Sequence, residues 1–326
     1  MEQKLNWGIS EDLQSDIRYE PNACRGYVMD ISLGCPHHCI YCLFSPLEIR
    51  AYKLYNPGYK GDVLPLKLDK FLTREKFPPA VYMCYSSDPL GNGELIRSTA
   101  TVLRKLIAHN VYVLFISKGI FTDEILDLMG EKPELMQVQV GITNYDDDRN
   151  RIIEPGAPSY EKRLENIEKL SKIKGLGSLT VRIDPLLPVI DDTTENITRI
   201  VKDVKSFGVK EAVIGYIILT KAMRESWLRN EYTRQCAAAL TERTTTISQQ
   251  ELYSIPHERK VNQLLKFEEI CKELGVKMAV CGCKDESLKE TNLEWICHPF
   301  NRRRREEMNW EGDLEVDLSE LVAHLK

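Results

Sequence analysis

The chain reads as an α/β protein whose parallel sheet curls into a whole or partial barrel. Three observations predict this. From residue 27 onward, short runs rich in Val, Ile, Leu and Tyr alternate with amphipathic stretches at helical spacing. Parallel strands need crossover connections, and the stretches between the runs are long enough to be helices. Six such units in series, all crossing over with one hand, curl a sheet. An open doubly wound sheet is the alternative that periodicity leaves standing.

The strands are expected at 27–33, 80–85, 111–117, 136–143, 179–184 and 211–219, each bounded by Gly, Pro, Ser or Asp. A helix over 94–109 places Leu95, Ile96, Val102, Leu103, Leu106 and Ile107 on one stripe. A second over 160–174 repeats Tyr160, Leu164, Ile167 and Leu170. A third over 192–207 opens on Asp192-Thr193-Thr194-Glu195, which can close a capping box, and buries Ile197, Ile200, Val201 and Val204. After residue 219 the pattern loosens. It gives a helix over 221–240, a polar, turn-prone stretch over 241–256, a helix over 257–274 and a strand over 276–281. The expected organisation is an N-terminal extension (1–23), a barrel core (24–220) and a C-terminal extension (221–326) packed on the barrel.

Composition bounds the function. The 326 residues are 43% hydrophobic and 29% charged, with a net charge of −5, so no global basic field recruits nucleic acid. No apolar run approaches the ~18 residues of a membrane span, and the start lacks the apolar segment of a secretory signal. The expectation is a cytoplasmic protein with no membrane partner. Its cysteines stand at Cys24, Cys35, Cys39, Cys42, Cys84, Cys236, Cys271, Cys281, Cys283 and Cys297. Two tight groups in a long chain without an export signal point to metal in a reducing compartment.

The first group is Cys35-x3-Cys39-x2-Cys42, just past the first strand. Three thiolates this close can hold three irons of a [4Fe-4S] cluster and leave the fourth open to a small molecule. A structural zinc site using His37 or His38 is the competing reading, although zinc knuckles usually pair CxxC or CxxH elements.

Cys35-x3-Cys39-x-Tyr41-Cys42 after strand one of a βα series resembles the radical S-adenosylmethionine (SAM) superfamily. The resemblance implies a partial (β/α)6 barrel and a [4Fe-4S] cluster held by Cys35, Cys39 and Cys42. It implies reductive cleavage of SAM to a 5′-deoxyadenosyl radical that abstracts hydrogen from a substrate. It also implies a reductant such as flavodoxin or ferredoxin.

Further motifs fall at successive strand ends: Ser86-Ser87-Asp88, Ser117-Lys118 and Thr143-Asn144, then Glu154-Pro155-Gly156-Ala157-Pro158-Ser159 with Arg163-Leu164. Their order, over 24–220, resembles the spore photoproduct lyase-like subfamily. Strand ends of a βα barrel converge on one mouth. On this resemblance Tyr41, Ser87, Lys118, Thr143 and Asn144 would contact the cofactor. The structural alternative is that Ser87 and Thr143 cap helices and Lys118 is a solvated rim charge. Two positions depart from the lyase: Tyr85 stands where its hydrogen-donor cysteine is, and Leu43 where it has a tyrosine. Tyr85 and Cys84 are left as candidates for a radical or hydrogen relay.

Late in the chain, Cys281, Cys283 and Cys297 suit a second iron–sulfur cluster, thiol chemistry or plain packing. Arg302-Arg303-Arg304-Arg305 can clamp a phosphate, or open a helix neutralised by Glu306, Glu307 and Glu311. The substrate classes in view are a nucleotide or nucleic acid, and a peptide or small metabolite. A non-catalytic zinc- or nucleic-acid-binding protein is the alternative of another class.

Overall fold

The computed structural model describes residues 17–20, 26–33, 35–43, 53–54, 68, 72, 80–84, 86–245, 251–282 and 284–296. Tyr85, Cys283, Cys297 and the arginine run, all singled out above, lie outside the described residues.

The strands are β1 (Ile17–Glu20), β2 (Gly26–Met29), β3 (Ser32–Leu33), β4 (Lys53–Leu54), β5 (Ala80–Met83), β6 (Tyr112–Ser117), β7 (Met136–Gly141), β8 (Ser178–Leu186), β9 (Glu211–Tyr216), β10 (Glu242–Thr245), β11 (Glu251–Ser254), β12 (Lys277–Cys281) and β13 (Trp295–Ile296). The helices are α1 (Gly93–Ala108), α2 (Asp123–Glu131), α3 (Asp147–Ile153), α4 (Tyr160–Ser171), α5 (Thr194–Ser206), α6 (Lys221–Leu228), α7 (Arg234–Ala239) and α8 (His257–Glu273).

The main sheet runs β1-β2-β5-β6-β7-β8-β9-β12-β13. β1 pairs antiparallel with β2, while β2 to β12 form seven parallel strands. Their spatial order follows their chain order without the reversal that defines a doubly wound sheet. Among the described residues no pairing joins β13 to β1, so the sheet stays open. The expected α/β partial barrel is the fold. Its seventh parallel strand, β12, comes from beyond residue 220.

Alternation sorts the faces. Val138 and Val140 of β7 and Val181 and Ile183 of β8 are fully buried in the apolar core. On the other face, the Arg182 guanidinium donates to the Gln139 carbonyl at 3.0 Å and pairs with Asp184. Helix α1 buries Leu95, Val102, Leu103, Leu106 and Ile107, and Asn92 caps it by accepting from Glu94 N and Leu95 N at 3.0 Å.

Four local expectations are corrected, and one unexpected helix is added. The strand over 27–33 breaks at Asp30, whose carboxylate accepts from Ser86 N at 2.8 Å; Ser32–Leu33 then pairs with Lys53–Leu54. No capping box forms at 192–195. Thr193 caps α5 by accepting from Asn196 N, and Glu195 accepts from the Tyr145 hydroxyl. The helix over 221–240 splits where Asn230 turns the chain, accepting from Tyr232 N and Thr233 N. The polar stretch over 241–256 contains the antiparallel hairpin β10–β11. It reads as a loop because only Thr244, Leu252 and Ser254 of its strands face inward. Helix α2 was not anticipated, although Thr122 ahead of Asp123-Glu124 and buried Ile125, Leu128 and Met129 mark it.

The C-terminal segment is tied down by a buried ion pair. Lys260 of α8 donates to Asp285, which also accepts from the Thr244 and Ser287 hydroxyls at 3.0 and 2.6 Å. Burial alone would raise the Asp285 pKa, but Lys260 and these donors bring it below the usual carboxylate value. A carboxylate depressed on folding contributes stability above its unfolded pKa of about 3.9, and loses it as pH falls through the folded value. Asp285→Ala is expected to cost about 3–5 kcal/mol at neutral pH by stranding Lys260. Its stability should then fall less steeply than the wild type's between about pH 5 and pH 3. Denaturant melts across that range check both.

Candidate active site

One cavity of about 310 Å³ lies at the C-terminal ends of the parallel strands. Cys35, Cys39, Tyr41 and Cys42 of the cysteine loop line it, with Ser86, Ser87 and Asp88 after β5 and Lys118 after β6. Its other side is formed by Asp184 and Pro185 in β8, Ile217 and Ile218 after β9, and Lys284 after β12. Convergence of strand ends, which the sequence could only suggest, is thus the geometry of the site.

The loop is held from two sides. Segment 153–156 zips onto it: Ile40 N donates to Ile153 O at 3.0 Å and Gly156 N to His37 O at 2.9 Å. Residue 156 must be glycine, because a Cβ there would sit 2.3 Å from the Pro36 carbonyl oxygen. From the other side, His37 spans the gap between two elements. Its Nδ1 bonds Gly156 O at 2.9 Å and its Nε2 lies 3.1 Å from Asp88 Oδ2. The ring is thus held between the Gly156 carbonyl and the Asp88 carboxylate. Burial alone would lower the His37 pKa; Asp88 outweighs it and raises the pKa above the ordinary imidazole value.

Asp88 joins three segments. Its Oδ1 accepts from the Ser117 hydroxyl at 2.7 Å and Leu90 N at 2.9 Å, and its Oδ2 from Lys118 N at 2.8 Å. Burial opposes its charge, but His37 and these donors hold its pKa far below the usual range.

Beneath the loop, Glu154 is 1% exposed. It accepts from the Tyr41 hydroxyl and, at 2.9 Å, from the Thr143 hydroxyl, and it pairs with Arg163 at 2.6 Å. Against the cost of burial, Arg163 and Lys118 keep it ionised. The Lys118 ammonium lies 4.0 Å from Glu154 and 5.5 Å from the Tyr41 ring centre. The Lys118 stem crosses Gly141, where a Cβ would come within 2.9 Å of it.

The proposed cofactor residues divide. Tyr41, Ser87 and Lys118 line the cavity, whereas Thr143 and Asn144 are buried beside it. Thr143 is engaged with Glu154 and Arg149, and Asn144 with Asp191. Arg149 and Asp191 form a buried ion pair that completes this layer. Cys84 is buried, with a φ of +59°, and is not among the cavity-lining residues. Cys281 is the half-buried last residue of β12.

The donor set suits an iron–sulfur cluster. Three half-buried thiols on one cavity wall suit a cluster, in which each thiolate takes its own iron. Burial pushes the Cys39 thiol up to about 12, and that of Cys35 higher, so metal binding must displace their protons. The buried hydroxyl of Ser86 at the cavity wall has no hydrogen-bond partner among the described residues, as befits a group that meets a bound molecule; Ser87 lines the cavity beside it.

The sequence profile of the Radical SAM superfamily matches residues 29–201, which carry all three cysteines and Lys118. This chain belongs to the radical SAM superfamily. Radical SAM catalysis, with a [4Fe-4S] cluster and SAM, is therefore its general chemistry.

Among solved radical SAM structures, a spore photoproduct lyase variant with bound AdoMet and dinucleoside spore photoproduct is 15% identical with a TM-score of 0.60. The match covers 77% of this chain and 75% of that one. Streptococcus suis SuiB bound to S-adenosylmethionine is 10% identical with a TM-score of 0.52, over 78% of this chain and 50% of its own. These likenesses concern the fold. In sequence, an uncharacterised protein, ORF301, of Acidianus two-tailed virus is 24% identical over 221 residues, 63% of this chain and 71% of that protein. Among the described residues, no helix of this radical SAM protein is long and apolar enough to cross a membrane.

Sequence reading missed Asp88 and Glu154 as hubs, and Asp184 and Lys284 as the far wall. Asp88 and Glu154 stood inside quoted motifs, and a carboxylate next to a strand-end hydroxyl or before Pro-Gly was the available signal. Nothing local marked Asp184 and Lys284, which lie 100 residues apart.

Proposed function

We propose that Cys35, Cys39 and Cys42 hold the [4Fe-4S] cluster, and that Ser87 and Lys118 receive the methionyl end of SAM. When bound, cluster and cofactor supply reductive cleavage and a 5′-deoxyadenosyl radical. The observation that carries this reading is one cavity lined by three thiols, a lysine and two serines, of which Ser86 has a buried hydroxyl with no partner among the described residues.

Each residue has a defined task in this scheme. Lys118 is kept cationic by Glu154 against the effect of burial, and so can meet a carboxylate. The Tyr41 backbone lies in the loop, where it can meet the adenine. Thr143 and Asn144 act from beneath: Thr143 supports Glu154, and Asn144 supports Asp191. Ile217, Ile218 and Pro185 give the cavity an apolar wall that keeps water from the reacting centre. Cys84 and Tyr85 remain the proposed hydrogen relay, and a flavodoxin or ferredoxin the reductant.

For the substrate we favour a nucleotide or nucleic acid. The support is the shared fold with the lyase that binds a dinucleoside photoproduct. Tyr85 in place of the lyase's donor cysteine argues for a different product. A second reading, a peptide or metabolite enzyme with an auxiliary cluster, is favoured by Cys281 ending a strand three residues before cavity-lining Lys284.

Anaerobic reconstitution tests both. With SAM and dithionite, the protein is expected to release 5′-deoxyadenosine; an intact cluster that yields none refutes the enzyme reading. Iron should number about four per chain for one cluster and about eight for two. Cys281→Ala lowers that count only if an auxiliary cluster exists.

A further inference from the structure

We infer that Glu154 is a positioning residue that sets the cysteine loop and Lys118 relative to each other, and so presents both to the cofactor. The inference deepens the site reading above and rests on it.

The geometry is specific. Through Oε1, Glu154 takes the hydroxyl of Tyr41, which directly precedes Cys42. The same oxygen takes the Thr143 hydroxyl from the end of β7 at 2.9 Å, and lies 4.0 Å from the Lys118 ammonium at the end of β6. Its other oxygen, Oε2, pairs with Arg163 of α4 at 2.6 Å. Arg163 is itself fixed, donating to Pro158 O at 2.8 Å and Gly141 O at 3.1 Å. The carboxylate is therefore anchored from below by a rigid guanidinium and reaches upward to two cavity-lining groups. Segment 153–156, which carries it, also bonds the loop backbone at Ile40 and His37. Loop and lysine are thus referenced to one buried charge.

A purely structural carboxylate would matter for folding and leave the cofactor indifferent. Two variants separate the cases. Tyr41→Phe removes only the hydroxyl that links the loop to Glu154. Glu154→Gln keeps the shape and an acceptor, and removes the charge facing Lys118. Each is reconstituted anaerobically, its iron counted, its SAM dissociation constant measured by equilibrium binding, and its reduced-cluster EPR spectrum recorded with and without SAM. We expect iron content to match the wild type. SAM affinity should fall several-fold in Tyr41→Phe and about tenfold in Glu154→Gln, with an altered spectral response to SAM in both.

Wild-type affinity and wild-type spectra in both variants overturn the inference. If Glu154→Gln does not fold, Tyr41→Phe decides by the same criteria. A wild-type protein that assembles its cluster but ignores SAM sinks the site reading and this inference with it. Normal wild-type binding matched by both variants sinks the inference alone.

Discussion

Alanine at Cys35, Cys39 or Cys42 is expected to abolish stable cluster assembly and with it 5′-deoxyadenosine formation, a loss of about a thousandfold or more. A cubane held by three thiolates has no spare protein ligand, so two are insufficient. The fold should survive, because the loop does not depend on metal alone for its shape. His37 bridges Gly156 and Asp88, Ile40 N bonds Ile153 O, and the Tyr41 hydroxyl bonds Glu154. The metal-free variants should therefore melt within a few degrees of the metal-free wild type. Cys236→Ala, at a buried thiol that does not line the cavity, is the control and should keep its iron. Full iron retention in all three loop variants would refute the ligand assignment.

Asp88→Ala should be the most damaging single change outside the cysteines. It leaves buried His37 without its acidic partner, and the Ser117 hydroxyl, Leu90 N and Lys118 N without their acceptor. Breaking a buried pair in this way costs about 3–5 kcal/mol. A Tm fall of about 10 °C is the corresponding thermal effect. Detaching His37 also releases one of the loop's two anchors, so iron content after reconstitution should drop as well. Asp88→Asn, which keeps one acceptor oxygen, should fall between the two. Thermal melts of metal-free protein, with iron assays on the reconstituted form, separate the stability effect from the assembly effect. An Asp88→Ala protein with wild-type Tm and iron content would show that the three segments hold without this carboxylate.

Much of the fold was legible because its periodicity is local. The expected strands at 111–117, 136–143 and 211–219 differ from the observed ones by a few residues at their ends. Helix α1 buries the stripe its spacing marked out. Three of the failures share a cause. Asp30, Asn230 and Thr193 each act through a side-chain hydrogen bond to a backbone N–H, and such bonds end or start an element without changing the apolar pattern. Hairpin β10–β11 was hidden because an exposed ribbon has few inward positions to reveal a period of two.

What the sequence determined by itself was the chemistry available: three cysteines at fixed short spacing, a lysine and serines at strand ends, and a βα rhythm that sends strand ends to one mouth. Those properties depend on neighbours within a few residues, or on a rule common to all parallel sheets. Tertiary structure alone decided which groups face the cavity and which serve beneath it. Lys118 and Ser87 reach the cavity, while Thr143 and Asn144 spend their polar atoms on Glu154 and Asp191. Asp184 meets Lys284 only because β12 adds itself beside β9. The reason is physical: a buried polar atom must find a partner, and which partner it finds depends on segments tens to a hundred residues away.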